Sequence, residues 1–86
     1  MLVHIQPVVY TVRLYPEGGG YPGPFIGVAT VQLIGPHTIY VGALHGTITR
    51  KHIREMGEFF QSIGVKFVLA QRHGKIKQHS IEAYIR

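Results

Sequence analysis

The sequence predicts an α+β domain: a four-stranded mixed sheet with one helix packed on one face, in the order β-loop-β-β-α-β-tail. Three observations carry this expectation. Residues 8–44 are dense in β-branched and aromatic types, broken only by runs of turn residues. The apolar period becomes helical after His45-Gly46, where Ile53, Met56, Phe60 and Ile63 share one stripe. A glycine and a fresh β-rich run then follow, which is the pattern of an αβ unit.

The first strand is expected over residues 8–15. Val8, Tyr10, Val12 and Leu14 alternate onto one face, with Thr11 and Arg13 on the other. Residues 16–24, Pro16-Glu17-Gly18-Gly19-Gly20-Tyr21-Pro22-Gly23-Pro24, are too rich in Gly and Pro for a ladder or a helix and form a long loop. Tyr21 is its one large side chain and the expected anchor on a neighbouring subunit or partner. The second strand spans 25–34, Gly35-Pro36-His37 turns the chain, and the third spans 38–44, which makes an antiparallel hairpin. Gly27 and Gly42 inside strands point to bulges or to the close approach of another backbone or ring.

A helix follows. Thr47 or Thr49 supplies the hydroxyl that caps its first free N–H groups. Lys51 with Glu55, and Arg54 with Glu58, are spaced as i,i+4 pairs. Gly64 stops the helix in the left-handed region and Val65 packs back. Residues 65–71 form the fourth strand, beside the third through a right-handed crossover. Residues 72–86 are a basic tail that ends in a short helix or edge strand. One helix covers only part of such a sheet. The opposite face, expected to carry Val9, Tyr15, Ile26, Val28, Ile39 and Val41, is too apolar for water, so self-association or docking into an assembly is the natural remedy.

Composition bounds the rest. An 86-residue chain supports one domain, here residues 1–86. A 45% hydrophobic and 15% charged balance is that of a folded protein. There is no Cys, which removes disulfides and thiolate metal sites. There is no Asp, and four scattered Glu do not make a two-metal phosphoryl-transfer site. Six His occur without paired spacing, so no metal and no cofactor are expected. Ser62 and Ser80 lack an elbow motif and an Asp to orient a His, so no catalytic residue is assigned and the chain is read as non-enzymatic. No segment reaches the roughly 20 apolar residues of a membrane span. The start of the chain lacks a signal-peptide pattern, so the expected location is the cytoplasm or a virion.

The net charge of +5 is lopsided: Arg13 is balanced by Glu17, and the whole excess falls in residues 44–86. Such asymmetry favours an anionic partner. Cations at a helix N-terminus oppose its dipole unless an anion lies among them. Thr47, Thr49, Arg50, Lys51 and Arg54 are therefore the candidate anion- or partner-binding residues. Lys66, Arg72, Lys75, Lys77 and Arg86, with His73, His79 and Tyr84 nearby, are the alternative: a nucleic-acid surface of phosphate contacts and a stacking ring.

The run from Arg50-Lys51-His52-Ile53-Arg54-Glu55-Met56-Gly57 through Gly64-Val65-Lys66-Phe67-Val68-Leu69 resembles the central strand-turn-helix-strand unit of GNAT-type acetyltransferases. The resemblance covers about a third of the chain. It implies an acyl-CoA-type fold, in which the turn before the helix cradles a pyrophosphate. The family's glycine pattern there is reduced to Gly46, followed by Thr47 and Ile48. In general look the chain is also similar to small phage-encoded structural and accessory proteins. The expected function is thus a protein-interaction or structural module that self-associates or is built into a larger assembly, with a basic nucleic-acid-binding protein and a truncated acetyltransferase-like domain as alternatives.

Overall fold

The computed structural model describes residues 2–72 and 74–86, and only the backbone of Arg72. Five strands and two helices follow one another: β1 Val9–Leu14, β2 Gly27–Ile34, β3 Thr38–Gly46, α1 Arg50–Ser62, β4 Phe67–Arg72, β5 Lys75–Ser80 and α2 Glu82–Ile85. They form a single mixed sheet in the order β1-β2-β3-β4-β5. β1–β2, β2–β3 and β4–β5 are antiparallel, and β3–β4 is parallel. The α+β class and the mixed sheet are as expected, but the sheet has a fifth strand. What the sequence presented as a basic tail over 72–86 is a strand paired to β4 from Phe67↔Ser80 to Arg72↔Lys75, followed by α2.

The helix forms where amphipathicity and local signals agree. Thr49 is its N-cap, with an extended backbone and an Oγ1 that accepts from the His52 N–H. At the other end Gly64 takes φ +97, its N–H reaches the Gln61 carbonyl, and the Val65 N–H reaches the Phe60 carbonyl. This is a Schellman closure, which satisfies two terminal carbonyls and turns Val65 into the core. Lys51 does not pair with Glu55. It reaches Glu17 in the β1–β2 loop at 3.4 Å, an exposed contact of little energetic weight.

Register fixes which residues face the helix. Tyr10↔Val31↔Val41↔Ala70 and Leu33↔Ile39↔Val68 each lie on one sheet face. Val31, Ile39, Phe60, Val65, Val68 and Ile81 make the core there, with Val41 packed against it. Ile39 and Val41 therefore belong to the covered face, contrary to the sequence expectation. Tyr40 and Gly42 take the phase that points away, and a helix draws the more apolar alternate set. The open face carries Val9, Val28, Ile34, Tyr40, Phe67 and Leu69 among Thr11, Arg13, Thr30, Gln32 and Gln71, and is mixed rather than uniformly apolar.

Both strand glycines have the close neighbours that were expected. A Cβ on Gly27 would lie 2.6 Å from the Thr47 carbonyl oxygen, and one on Gly42 3.0 Å from the Tyr40 ring. Thr30 pairs with Gly42 and Val28 with His45, so β3 holds one extra residue there. This is a β-bulge, with Ala43 at φ +41.

Candidate functional site

Three features of the surface could receive a partner: the outer edge of β1, a groove between β1 and α1, and a groove between β3, β4 and the helices.

β1 and β5 are the two edges of the sheet. Edge strands expose unpaired backbone groups and are commonly guarded by charge. β5 is so guarded: Lys75 and Lys77 stand exposed along it. β1, Val-Tyr-Thr-Val-Arg-Leu, carries one cation, Arg13, near its end. The Arg13 guanidinium lies 5.9 Å from the Tyr21 ring and 5.8 Å from the Phe25 ring, which draws it toward the loop. The Val8 carbonyl accepts from the Leu33 N–H and the Leu14 carbonyl from the Ile26 N–H. Alternation then turns the backbone groups of Val9, Thr11 and Arg13 outward. Exposed apolar side chains cluster beside this edge: Val8, Val9 and Phe59 are all more than half exposed. Phe59 is held edge-to-face against Tyr10 and Phe60.

The first groove, about 730 Å³, runs along this same edge under α1 and is bordered by Tyr10, Tyr15, Glu17, His52, Met56 and Phe59. α1 runs back along β1, since His52 meets Tyr15 at one end and Phe59 meets Tyr10 at the other. His52 shapes the groove's floor. Its Nδ1 accepts from the Thr49 N–H at 3.0 Å, closing a reciprocal capping box. Its Nε2 then carries the proton and donates to the Tyr15 carbonyl at 2.6 Å. One ring therefore ties the helix start to the end of β1. The sequence reading missed this role. The available signal was the Thr-x-x spacing, with His standing where Glu or Gln is usual.

The second groove, also about 730 Å³, opens because β3 and β4 pair only from Thr38↔Phe67 to Val41↔Ala70, while β3 runs on to Gly46 beside β2 alone. Leu44, Ile48, Ile53, Met56 and Tyr84 border it.

The expected anion site is divided. Thr47, Arg50, Lys51 and Arg54 are exposed around the helix start, but Thr49 is engaged in the cap and Lys51 reaches Glu17. The N–H groups of Thr47, Thr49, His52 and Ile53 already bond to the Ile26 carbonyl, His52 Nδ1, Thr49 Oγ1 and the Thr49 carbonyl. The N–H groups of Arg50 and Lys51, the first two of the helix, are not among these bonds. The alternative basic set is divided: Arg72, Lys75 and Lys77 lie toward the turn of the β4–β5 hairpin, the rest apart from them. Lys66 lies just before β4, Lys75 at the far end of the β4–β5 hairpin about 20 Å away. Arg86 follows α2, and His73 and the side chain of Arg72 lie outside the described residues. Tyr21 is 77% exposed at the loop tip beside Arg13. Among the described residues no three His, Asp or Glu side chains converge, and no helix is long and apolar enough to cross a membrane.

No family model, curated protein or solved structure matches this chain.

Proposed function

We propose that this chain is a non-enzymatic structural module that self-associates, and that it does so by pairing the outer edge of β1 with the β1 of a second copy. The observation that supports this is the asymmetry of the two edges. β5 carries Lys75 and Lys77, the usual guard against strand addition, whereas β1 offers Val9, Thr11 and Arg13 backbone groups beside exposed Val8, Val9 and Phe59. The mixed open face is a poorer candidate, because Thr11, Thr30, Gln32 and Gln71 would have to be desolvated there. In this role the basic β5 side stays in solvent, where it is available to an anionic neighbour within a cytoplasmic or virion assembly.

The nucleic-acid reading has less support: Lys75 and Lys77 lie toward the turn end of the β4–β5 hairpin, but Lys66 lies at its other end and Arg86 follows α2. The acyl-CoA reading finds an apolar groove between β3 and β4 but no pyrophosphate cradle. The glycine pattern of such a cradle is reduced to Gly46, and the turn donors at Thr47 and Thr49 are engaged with the Ile26 carbonyl and His52 Nδ1, which weakens that reading.

Light scattering tests the proposal. At tens of micromolar the chain should show about twice its 9.6 kDa mass. The double variant Val9→Lys, Thr11→Lys places on β1 the guard that β5 already has, at two exposed positions, and should be a folded monomer. A monomeric parent, or a double variant that remains dimeric, would sink the proposal.

A further inference from the structure

We infer that the cleft between β3 and β4 receives a short extended peptide with an apolar centre and acidic ends, added as a strand to the freed edge of β3. This goes beyond the β1 pairing proposed above and does not depend on it.

β3 and β4 are parallel, so both run toward the mouth of the cleft, and their ladder ends at Val41↔Ala70. The bulge in β3, with Ala43 at φ +41, begins directly after that last pair. Residues 42–46 continue beside β2 alone. The Thr47 N–H bonds to the Ile26 carbonyl, and His45 stands opposite Val28. Alternation then turns the backbone groups of Leu44 and Gly46 away from β2, toward the cleft. The sheet thus has an inner edge as well as its two outer ones. A strand edge offers alternating donors and acceptors, which an extended peptide matches and a lipid chain does not. An apolar lining stands beside that edge. Leu44, Ile48, Ile53 and Tyr84 border the space, and Leu44 is 42% exposed.

Charge at the mouth defines the peptide. α1 begins at this end, with residues 47–49 alone between it and β3. Ile53 and Gly57 line the cleft, and Arg50 and Arg54 lie three residues before them, on the same flank of the helix. Both arginines are exposed, and neither reaches a carboxylate among the described residues. On the other side, the register Val68↔His79, Ala70↔Lys77 and Arg72↔Lys75 puts Lys75 and Lys77 on the sheet face of Val68, the face that bears the helices. The acidic residues stand elsewhere. Glu17 and Glu55 border the other groove, Glu58 lies one turn beyond Arg54, and Glu82 follows β5 at the closed end of the cleft, where Ser80 pairs with Phe67. An apolar slot flanked by two pairs of cations selects an occupant with an apolar middle and negative ends. A second copy of this chain does not supply one. It has four Glu and no Asp, and no extended segment of it carries two carboxylates.

Fluorescence anisotropy on the full chain tests this with a synthetic peptide set, Glu-Glu-x-x-x-Glu-Glu with Val, Ile, Leu or Thr at x, and a matched set with Lys in place of Glu. Members of the acidic set should bind with micromolar affinity that weakens as salt rises, and the lysine set at least about tenfold more weakly. Arg50→Glu with Arg54→Glu, and separately Leu44→Lys, should each raise the dissociation constant at least about tenfold and leave the thermal midpoint nearly unchanged. A second readout uses the parent chain and needs no variant. In NMR the Leu44 and Gly46 amides should shift and exchange more slowly with peptide bound, and N-methylation of the three central peptide residues should remove that protection. Acidic peptides that bind all variants equally, or that leave those two amides unmoved, are held by general charge alone and overturn the cleft. If laurate or a single-stranded oligonucleotide moves the two amides and no acidic peptide does, the occupant is a different anion and the peptide assignment fails. Absence of binding by the whole acidic set fails it as well. The β1 pairing is read separately, from mass, and none of these outcomes alters it.

Discussion

His52 is the residue whose removal tests the local architecture most sharply. Its ring makes two different bonds: Nδ1 accepts from the Thr49 N–H at 3.0 Å, and Nε2 donates to the Tyr15 carbonyl at 2.6 Å. In His52→Ala both Thr49 N–H and Tyr15 carbonyl lose their partners. Each such bond contributes about 1 kcal/mol net. Alanine returns roughly 0.5 kcal/mol through better helix propensity, so the expected loss is about 1.5 kcal/mol. For a domain of this size that lowers the thermal midpoint by roughly 6–12 °C. His52→Gln separates the two bonds. A glutamine at this position restores the capping box but does not extend to Tyr15, so it should lose only about half as much. Urea denaturation followed by far-UV circular dichroism measures both variants, and the chain has no Trp to offer a simpler signal. Ring nitrogen shifts in NMR should show the proton on Nε2 in the parent. If His52→Gln is as unstable as His52→Ala, the capping box contributes nothing and the reasoning fails. If His52→Ala is as stable as the parent, neither bond matters.

Two further predictions concern the bulged hairpin, read by the same denaturation. Ala43 sits at φ +41, where a Cβ is costly, so Ala43→Gly should raise stability by about 0.5–1 kcal/mol; a loss would mean that its methyl packs usefully. Gly46 sits at φ +91, and a Cβ there would lie 2.8 Å from Gly27 Cα, so Gly46→Ala should cost about 2 kcal/mol or more, and a neutral result would show that the two strands separate easily.

What the sequence disclosed follows how far each signal reaches along the chain. A threonine cap, at Thr47 or Thr49, and the Gly64-Val65 ending were legible because a cap and a left-handed stop depend on a residue's own backbone preferences and on neighbours a few positions away. Gly27 and Gly42 were legible as crowded positions because glycine is unusual inside a strand, although which atoms crowd them was not. β5 was not legible. Its six residues, Lys-Ile-Lys-Gln-His-Ser, include a single large apolar side chain, and it is a strand because β4 offers it a ladder. The phase of β3 was also misjudged. Ile39, Tyr40 and Val41 are all good strand formers, and only pairing with Leu33, Val31 and Val68 decides which of them face the helix. His52 was overlooked because a histidine in that position serves the cap only when its far nitrogen finds a carbonyl, and Tyr15 lies 37 residues away.

The strands lie in space in the same order as in the chain, which bears on how the protein assembles itself. Each antiparallel neighbour is reached through a single loop, so β2 can add to β1, and β3 to β2, as soon as each has left the ribosome. The parallel join is different. Residues 47–66 must be synthesised, wound into α1 and folded back before β4 can find β3, and the two strands then share only four pairings. Until that happens β3 is itself a temporary edge, with Ile39 and Val41 uncovered. The interval between the third and fourth strands is therefore the period in which a nascent chain is most open to wrong partners, and faster winding of α1 shortens it.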